Sequence, residues 1–145
     1  MKIWRLVKDK YAHNALNGEG ARITGGRWNL PGTSMVYTSG TLSLALLELL
    51  VHFDHTALPK GYVYIIIEIP TQIRIPKFKS DQKKIDMQEF GTKWVDKSTS
   101  LILEVPSMVV PIENNYLLNP NHPDFKKLNI SKPKPFLMDP RLIKK

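Results

Sequence analysis

Cysteine is absent from this chain of 145 residues. That excludes a disulfide framework, a thiolate nucleophile and every cysteine-based zinc or iron–sulfur site. Long apolar runs are missing as well. None follows the opening MKIWRLVKDKYAHN, so no secretory signal is expected. The longest, Leu42 to Phe53, is interrupted by Ser43, Glu48 and His52 and is too short and too polar to span a bilayer. A soluble cytoplasmic protein without membrane contact is the expectation.

Acidic residues are scarce, 13 against 21 Lys and Arg, which leaves a net charge of +8. Much of the excess is local, with seven Lys or Arg against the single acid Asp139 between Lys126 and Lys145. Such a balance suits nucleic acid, an anionic ligand or an acidic partner. The aromatics do not alternate with the bases as a stacking platform would require, which argues against direct nucleic-acid binding. The histidines, at 13, 52, 55 and 122, lack metal-ligand spacing, so no metal is expected. No Walker loop, dinucleotide fingerprint or nucleophile elbow occurs.

What is present fits one domain over residues 1–145, with a basic tail from about 131 that lies over the surface. Residues 1–33 read as irregular and Gly-rich. Ser34–Ser39 reads as a strand, and Thr41 to Phe53 as a helix capped by Ser39 or Thr41. Tyr62–Ile69 is the clearest strand, ended by Pro70. A weaker helix is predicted over Gln82 to Lys97, strands over Leu101–Val105 and Met108–Ile112, and a loop with one helical turn over Asn119–Phe125. Short strands outnumber the two helices, which gives an α+β class with a sheet core.

Glu48 is the most informative residue. It lies in LSLALLELLVHF, where apolar residues occupy nearly every helical face, so the helix is expected to be buried on most sides. A carboxylate there needs an ion-pair partner, a polar cavity or a helix edge that reaches solvent. Arg27 and Trp28 follow Gly25 and Gly26 in GARITGGRWN. A guanidinium presented by a Gly turn suits a pyrophosphate or carboxylate, although a plain hairpin with an exposed arginine has the same sequence. Ser107 follows Pro106 at a strand end. Asn115, Asn119 and His122 fall in the polar stretch ENNYLLNPNHPDF, suited either to a ribose or phosphate or to ordinary turn chemistry. Tyr37 can stack on a ring or pack in the sheet.

Together these segments resemble the RES family, the toxins of Xre–RES toxin–antitoxin modules. The resemblance rests on GEGARITGGRWNLPG, VYTSGTLSLALLELLVH, EVPSMVVPIENNYLLNPNHPDF and the closing DPRL, in family order over nearly the whole chain. The arginine, glutamate and serine that name the family fall on Arg27, Glu48 and Ser107. The resemblance implies an ADP-ribosyltransferase-like fold and NAD⁺ as substrate, cleaved at the nicotinamide–ribose bond by hydrolysis or phosphorolysis. Some related toxins instead transfer ADP-ribose to a protein; a basic nucleic-acid-binding toxin is the third reading. It further implies a helical Xre-like antitoxin over the active site, with a homodimer as one form of the toxin within that complex. On this basis Glu48 stabilises the oxocarbenium-like ribose, Arg27 binds the pyrophosphate, Tyr37 stacks on the nicotinamide or adenine ring, Trp28 is a further substrate-binding residue, and Ser107 bonds ribose or an incoming phosphate. Asn119 and His122 are expected on the opposite wall.

Overall fold

A computed structural model describes residues 1–53, 60–79 and 85–142. The Gln82–Lys84 start predicted for the second long helix, His55 and the last three residues of the tail lie outside the described residues. The strands are β1 (Lys2–Lys8), β2 (Val36–Ser39), β3 (Tyr62–Glu68), β4 (Ile102–Pro106), β5 (Asn114–Leu118), β6 (Asn129–Ile130) and β7 (Lys134–Phe136). The helices are α1 (Glu19–Thr24), α2 (Leu42–Leu50) and α3 (Met87–Lys97). One antiparallel sheet runs β4-β5-β2-β1-β3-β6, with β7 also paired to β3. The class is α+β with a sheet core, as the sequence predicts.

Four expectations are corrected. Residues 1–33 are not irregular: β1 pairs with β3 along its whole length, from Lys2 opposite Glu68 to Lys8 opposite Tyr62, and α1 follows. Met108–Ile112 is not a strand. Its apolar residues lie in a turn, and Ile112 is 90% exposed. The next strand is β5, which begins at the asparagine pair Asn114–Asn115. The tail from 131 does not merely lie over the surface: β6 and β7 add to the sheet, and Ser131 N–H donates to Ile66 C=O. Nor is α2 buried on most sides, since Leu47 and Val51 are exposed. Its short apolar sequence serves one buried face, with Leu44, Ala45 and Leu50 inside, and Thr41 caps its start through a bond from Leu44 N–H.

Alternation along the strands divides the core in two. Ile3, Val7, Val36, Val63, Ile65, Ile67, Ile102 and Leu118 pack on one side of the sheet with Ala15 and Leu128. Leu103, Val105 and Leu117 face the other side, where Trp28, Met35 and Trp94 join them. The Gly-rich segment and α3 meet there at very close range. A Cβ built on Gly91 of α3 would lie 1.8 Å from Trp28 C=O, so only glycine admits this packing.

Candidate active site

Pairing between β1 and β2 is limited to Trp4 opposite Ser39. Beyond that point the two central strands have no ladder, and a side chain serves the unpaired backbone. Arg5 of β1 donates from its NH1 to Tyr37 C=O at 2.9 Å and from Nε to Ala15 C=O at 3.2 Å. Burial pushes this guanidinium down to about 10, so it stays charged at neutral pH. No acidic side chain forms an ion pair with it among the described residues. A cleft of about 1430 Å³ opens here. The strands contribute Arg5, Tyr37, Ser39 and Asn115 to its lining, α2 and its following turn contribute Glu48 and His52, and the Gly turn contributes Arg27.

The segment carrying Arg27 is fixed by a polar knot. Asn29 is wholly buried; its amide donates to Ala21 C=O (2.8 Å), Leu30 C=O (3.1 Å) and Thr33 C=O (3.1 Å). Its Oδ1 accepts from the Tyr37 hydroxyl at 2.7 Å, and that hydroxyl accepts from Trp28 N–H at 3.0 Å. Burial pushes the Tyr37 hydroxyl up to about 12, so it is a neutral, fixed group. Gly26 makes the contact possible, since a Cβ there would lie 2.6 Å from the Tyr37 oxygen. Gln88 of α3 closes the knot by donating to Gly26 C=O at 2.9 Å. Arg27 itself is exposed, with no ion-pair partner among the described residues. A guanidinium held out from an immobilised turn is free for an anionic ligand.

Glu48 is half-buried, and its partners are neutral. The Ser107 hydroxyl and the Asn115 amide each donate to Oε1 at 2.7 Å. Among the described residues Glu48 has no ion pair, so the structural salt bridge left open by the sequence is not what holds it. Two donors saturate Oε1, and among the described residues Oε2 has no protein donor. Ser107 is just 1% exposed. Its oxygen also accepts from Val109 N–H at 3.1 Å and Val110 N–H at 3.0 Å, so its single proton goes to Glu48. With both lone pairs used and its proton on Glu48, the Ser107 hydroxyl is fully engaged within the protein.

The other expected residues divide as follows. The indole of Trp28 is buried at 2% exposure, edge-on to Phe78 and Phe90 at 4.9 and 6.4 Å between ring centroids. It is mostly a core side chain that anchors the turn, although it also contributes to the lining of the cleft. Asn119 is buried beyond the end of β5, where its Oδ1 accepts from Asn121 N–H at 3.0 Å. His122 Nδ1 accepts from Asp124 N–H at 3.0 Å and caps the turn Pro123–Lys127. His122 lines a separate hollow of about 520 Å³ with Arg74 and Lys127. Neither Asn119 nor His122 lines the cleft; both do turn and cap work. The sequence reading missed Arg5, Ser39 and Asn29. A charged residue inside the mostly apolar IWRLV run was the available signal for Arg5.

Comparison with known proteins now places the chain. Residues 2–139 match the RES domain family. The chain belongs to the RES family. It is 35% identical to the "Prs ADP-ribosylating toxin" of Sphingobium sp. (strain YBL2), over 98% of this chain and 96% of that one. It is 38% identical to "Toxin Res" of Photorhabdus laumondii, over 99% and 98%. With "Toxin Res" of Yersinia enterocolitica it shares 36% identity, over 98% and 99%. Its fold is that of a chain in the crystal structure of the M. tuberculosis MbcT–MbcA toxin–antitoxin complex, with TM-score 0.74 at 17% identity over 97% of this RES chain and 85% of that chain.

Proposed function

We propose that this RES protein is the toxin of a type II toxin–antitoxin module and depletes cytoplasmic NAD⁺ by breaking the bond between nicotinamide and ribose. The observation that carries this reading is the Glu48 carboxylate, held by Ser107 and Asn115 with one oxygen left over, in the same cleft as Arg5, Arg27 and Tyr37. Nicotinamide leaves with the bonding electron pair and becomes neutral, and the ribose C1′ takes up positive charge. The carboxylate faces that charge in a partly desolvated cleft, where it counts for more than in water. Arg5 and Arg27 supply two cations for the pyrophosphate. The acceptor oxygen, from water or phosphate, bonds to C1′ and gives up its proton, releasing ADP-ribose or its phosphate ester.

A second reading is transfer of ADP-ribose to a protein. It is favoured by the relative named an ADP-ribosylating toxin and by the cleft itself. At about 1430 Å³ the cleft exceeds the roughly 300–1,000 Å³ of an ordinary small-molecule site. Tyr11, Ile23, Val51 and Met108, all exposed, line it. Purified protein incubated with labelled NAD⁺, with and without phosphate and cell extract, separates the readings by chromatography and gel. Free ADP-ribose or its phosphate supports cleavage, and a labelled extract protein supports transfer. No consumption of NAD⁺ under any condition refutes both.

An antitoxin is part of the proposal. An Xre-like partner over the cleft, alone or with a homodimer of the toxin, would stop turnover, and the cationic chain favours rapid capture by an acidic segment. Normal growth of cells making the active protein without that partner would refute the toxin assignment.

A further inference from the structure

We propose that Asn115 and Ser39 are positioning residues for Glu48, an inference that rests on the catalytic reading of that carboxylate. The two residues are directly opposite on β5 and β2. Asn115 Nδ2 donates to Glu48 Oε1 at 2.7 Å. The Ser39 hydroxyl, in a residue 5% exposed, donates to Asn115 Oδ1 at 2.8 Å.

Each link fixes the next. An ionised carboxylate only accepts hydrogen bonds, so Asn115 must turn its NH₂ toward Glu48. That turn points Oδ1 at β2, where the Ser39 hydroxyl meets it. Without the hydroxyl, the amide loses the partner that selects its orientation, and the flipped amide would set a carbonyl oxygen against the carboxylate. Ser107 reaches the same Oε1 from the end of β4. Three strands thus contribute to orienting one oxygen, and Oε2 is the oxygen presented to substrate. The chain of bonds acts on the reacting carboxylate through Asn115, since the Ser39 hydroxyl donates to Asn115 and not to Glu48.

The test uses the full-length protein, with NAD⁺ turnover measured as kcat and KM across pH, and melting temperature measured on the same preparations. The variants are Asn115→Asp, Asn115→Ala, Ser39→Ala and, as reference, Glu48→Gln. Asn115→Asp sets a second carboxylate against Glu48. Its kcat relative to wild type is expected to fall on the order of 30-fold or more at alkaline pH, and to recover as the pH falls and the new carboxyl becomes a donor. KM should change little. Ser39→Ala, a milder change, should lower kcat roughly fivefold, the size of one ordinary hydrogen bond, with KM nearly unchanged and the melting temperature lowered by a few degrees because Asn115 Oδ1 loses its donor.

If Glu48→Gln abolishes turnover while Asn115→Asp keeps the wild-type pH profile, the positioning role is overturned and the functional reading stands. A fall in kcat for Asn115→Asp and Asn115→Ala that is equal at every pH and tracks a fall in melting temperature also overturns it. Equal turnover of NAD⁺ by wild type and Glu48→Gln overturns the functional reading itself, and the positioning role with it.

Discussion

The hydroxyl of Ser107 and the carboxylate of Glu48, 59 residues apart in the chain, are joined by a 2.7 Å hydrogen bond. The same serine oxygen ties down the turn that leads from β4 to β5, by accepting Val109 and Val110 N–H. One atom therefore couples a local turn to the orientation of the candidate catalytic group. In Ser107→Ala two backbone donors and one carboxylate oxygen each lose a partner. The expected loss of stability is about 1–3 kcal/mol. NAD⁺ turnover should fall mainly in kcat, because the side chain is buried and is not part of the cleft lining. Denaturant melts and steady-state kinetics measure both, and a rise in KM with kcat intact would return Ser107 to a substrate-binding role.

Glu48→Gln separates chemistry from fold. The amide oxygen can still accept from Ser107 and Asn115, with the new NH₂ turned to the cleft, and no buried cation is stranded because none is paired there. Stability should change by less than about 1 kcal/mol. Turnover should drop by roughly two orders of magnitude or more, the effect of removing one preorganised electrostatic contact to a transition state. A variant that melts far earlier, yet keeps full activity per folded molecule, would identify Glu48 as structural.

Gly26→Ala tests the knot behind Arg27. The added methyl would stand 2.6 Å from the Tyr37 oxygen and 3.0 Å from Asn29 Oδ1. Tyr37 and Asn29 must then separate, and the turn that presents Arg27 shifts. We expect a stability loss of about 1–3 kcal/mol from overpacking together with a raised KM for NAD⁺. Arg27→Ala should raise KM comparably with stability within about 0.5 kcal/mol of wild type, as for other exposed side chains. Calorimetry and kinetics on the pair decide: an Arg27→Ala protein with unchanged KM removes this arginine from the binding site.

Alkaline titration reports on the same knot. Tyr37 and Tyr116 are both raised to about 12 from 10.0, by burial in each case and, for Tyr116, by its bond to Glu104. Between pH 10 and 12 the folded chain keeps a proton on Tyr37 that the unfolded chain has lost. The contribution is therefore fully present below pH 10 and is lost as the pH rises toward 12. Arg5, lowered to about 10, acts in the opposite direction in the same range, so the comparison must be with Tyr37→Phe. That variant should show a shallower loss of stability across the window, and its absorbance titration should lack one late-ionising tyrosine. Identical slopes in the two proteins would mean that Tyr37 is solvated.

Where a segment's own residues decide its structure, the sequence was sufficient. Thr41 caps α2, YVYIIIE forms β3, and Pro106 and Ser107 close β4. Glu48 stood out as a carboxylate in an apolar helix, whereas Arg27 on its Gly turn and Tyr37 in its strand were ambiguous until the fold brought all three to the lining of one cleft. β1 was missed because Lys2, Arg5 and Lys8 break its alternation, and its stability comes from pairing with β3, some 60 residues away in the chain. β5 was missed for its asparagines, which are poor strand formers chosen here for what they hold. Arg5 shows in the sequence only as a charge in an apolar run; its role was not legible, since its partners exist only where two strands fail to pair.

The long reach of the Glu48 bonds has a consequence for a newly made chain. Ser107 and Asn115 are translated 59 and 67 residues after Glu48. At about 5–20 residues per second, that is several seconds in which the carboxylate has emerged but has nothing to orient it. On the functional reading above, a fragment from a ribosome that stalls within this interval lacks the residues that hold the carboxylate and is harmless, and poison is made only once Asn115 has been added.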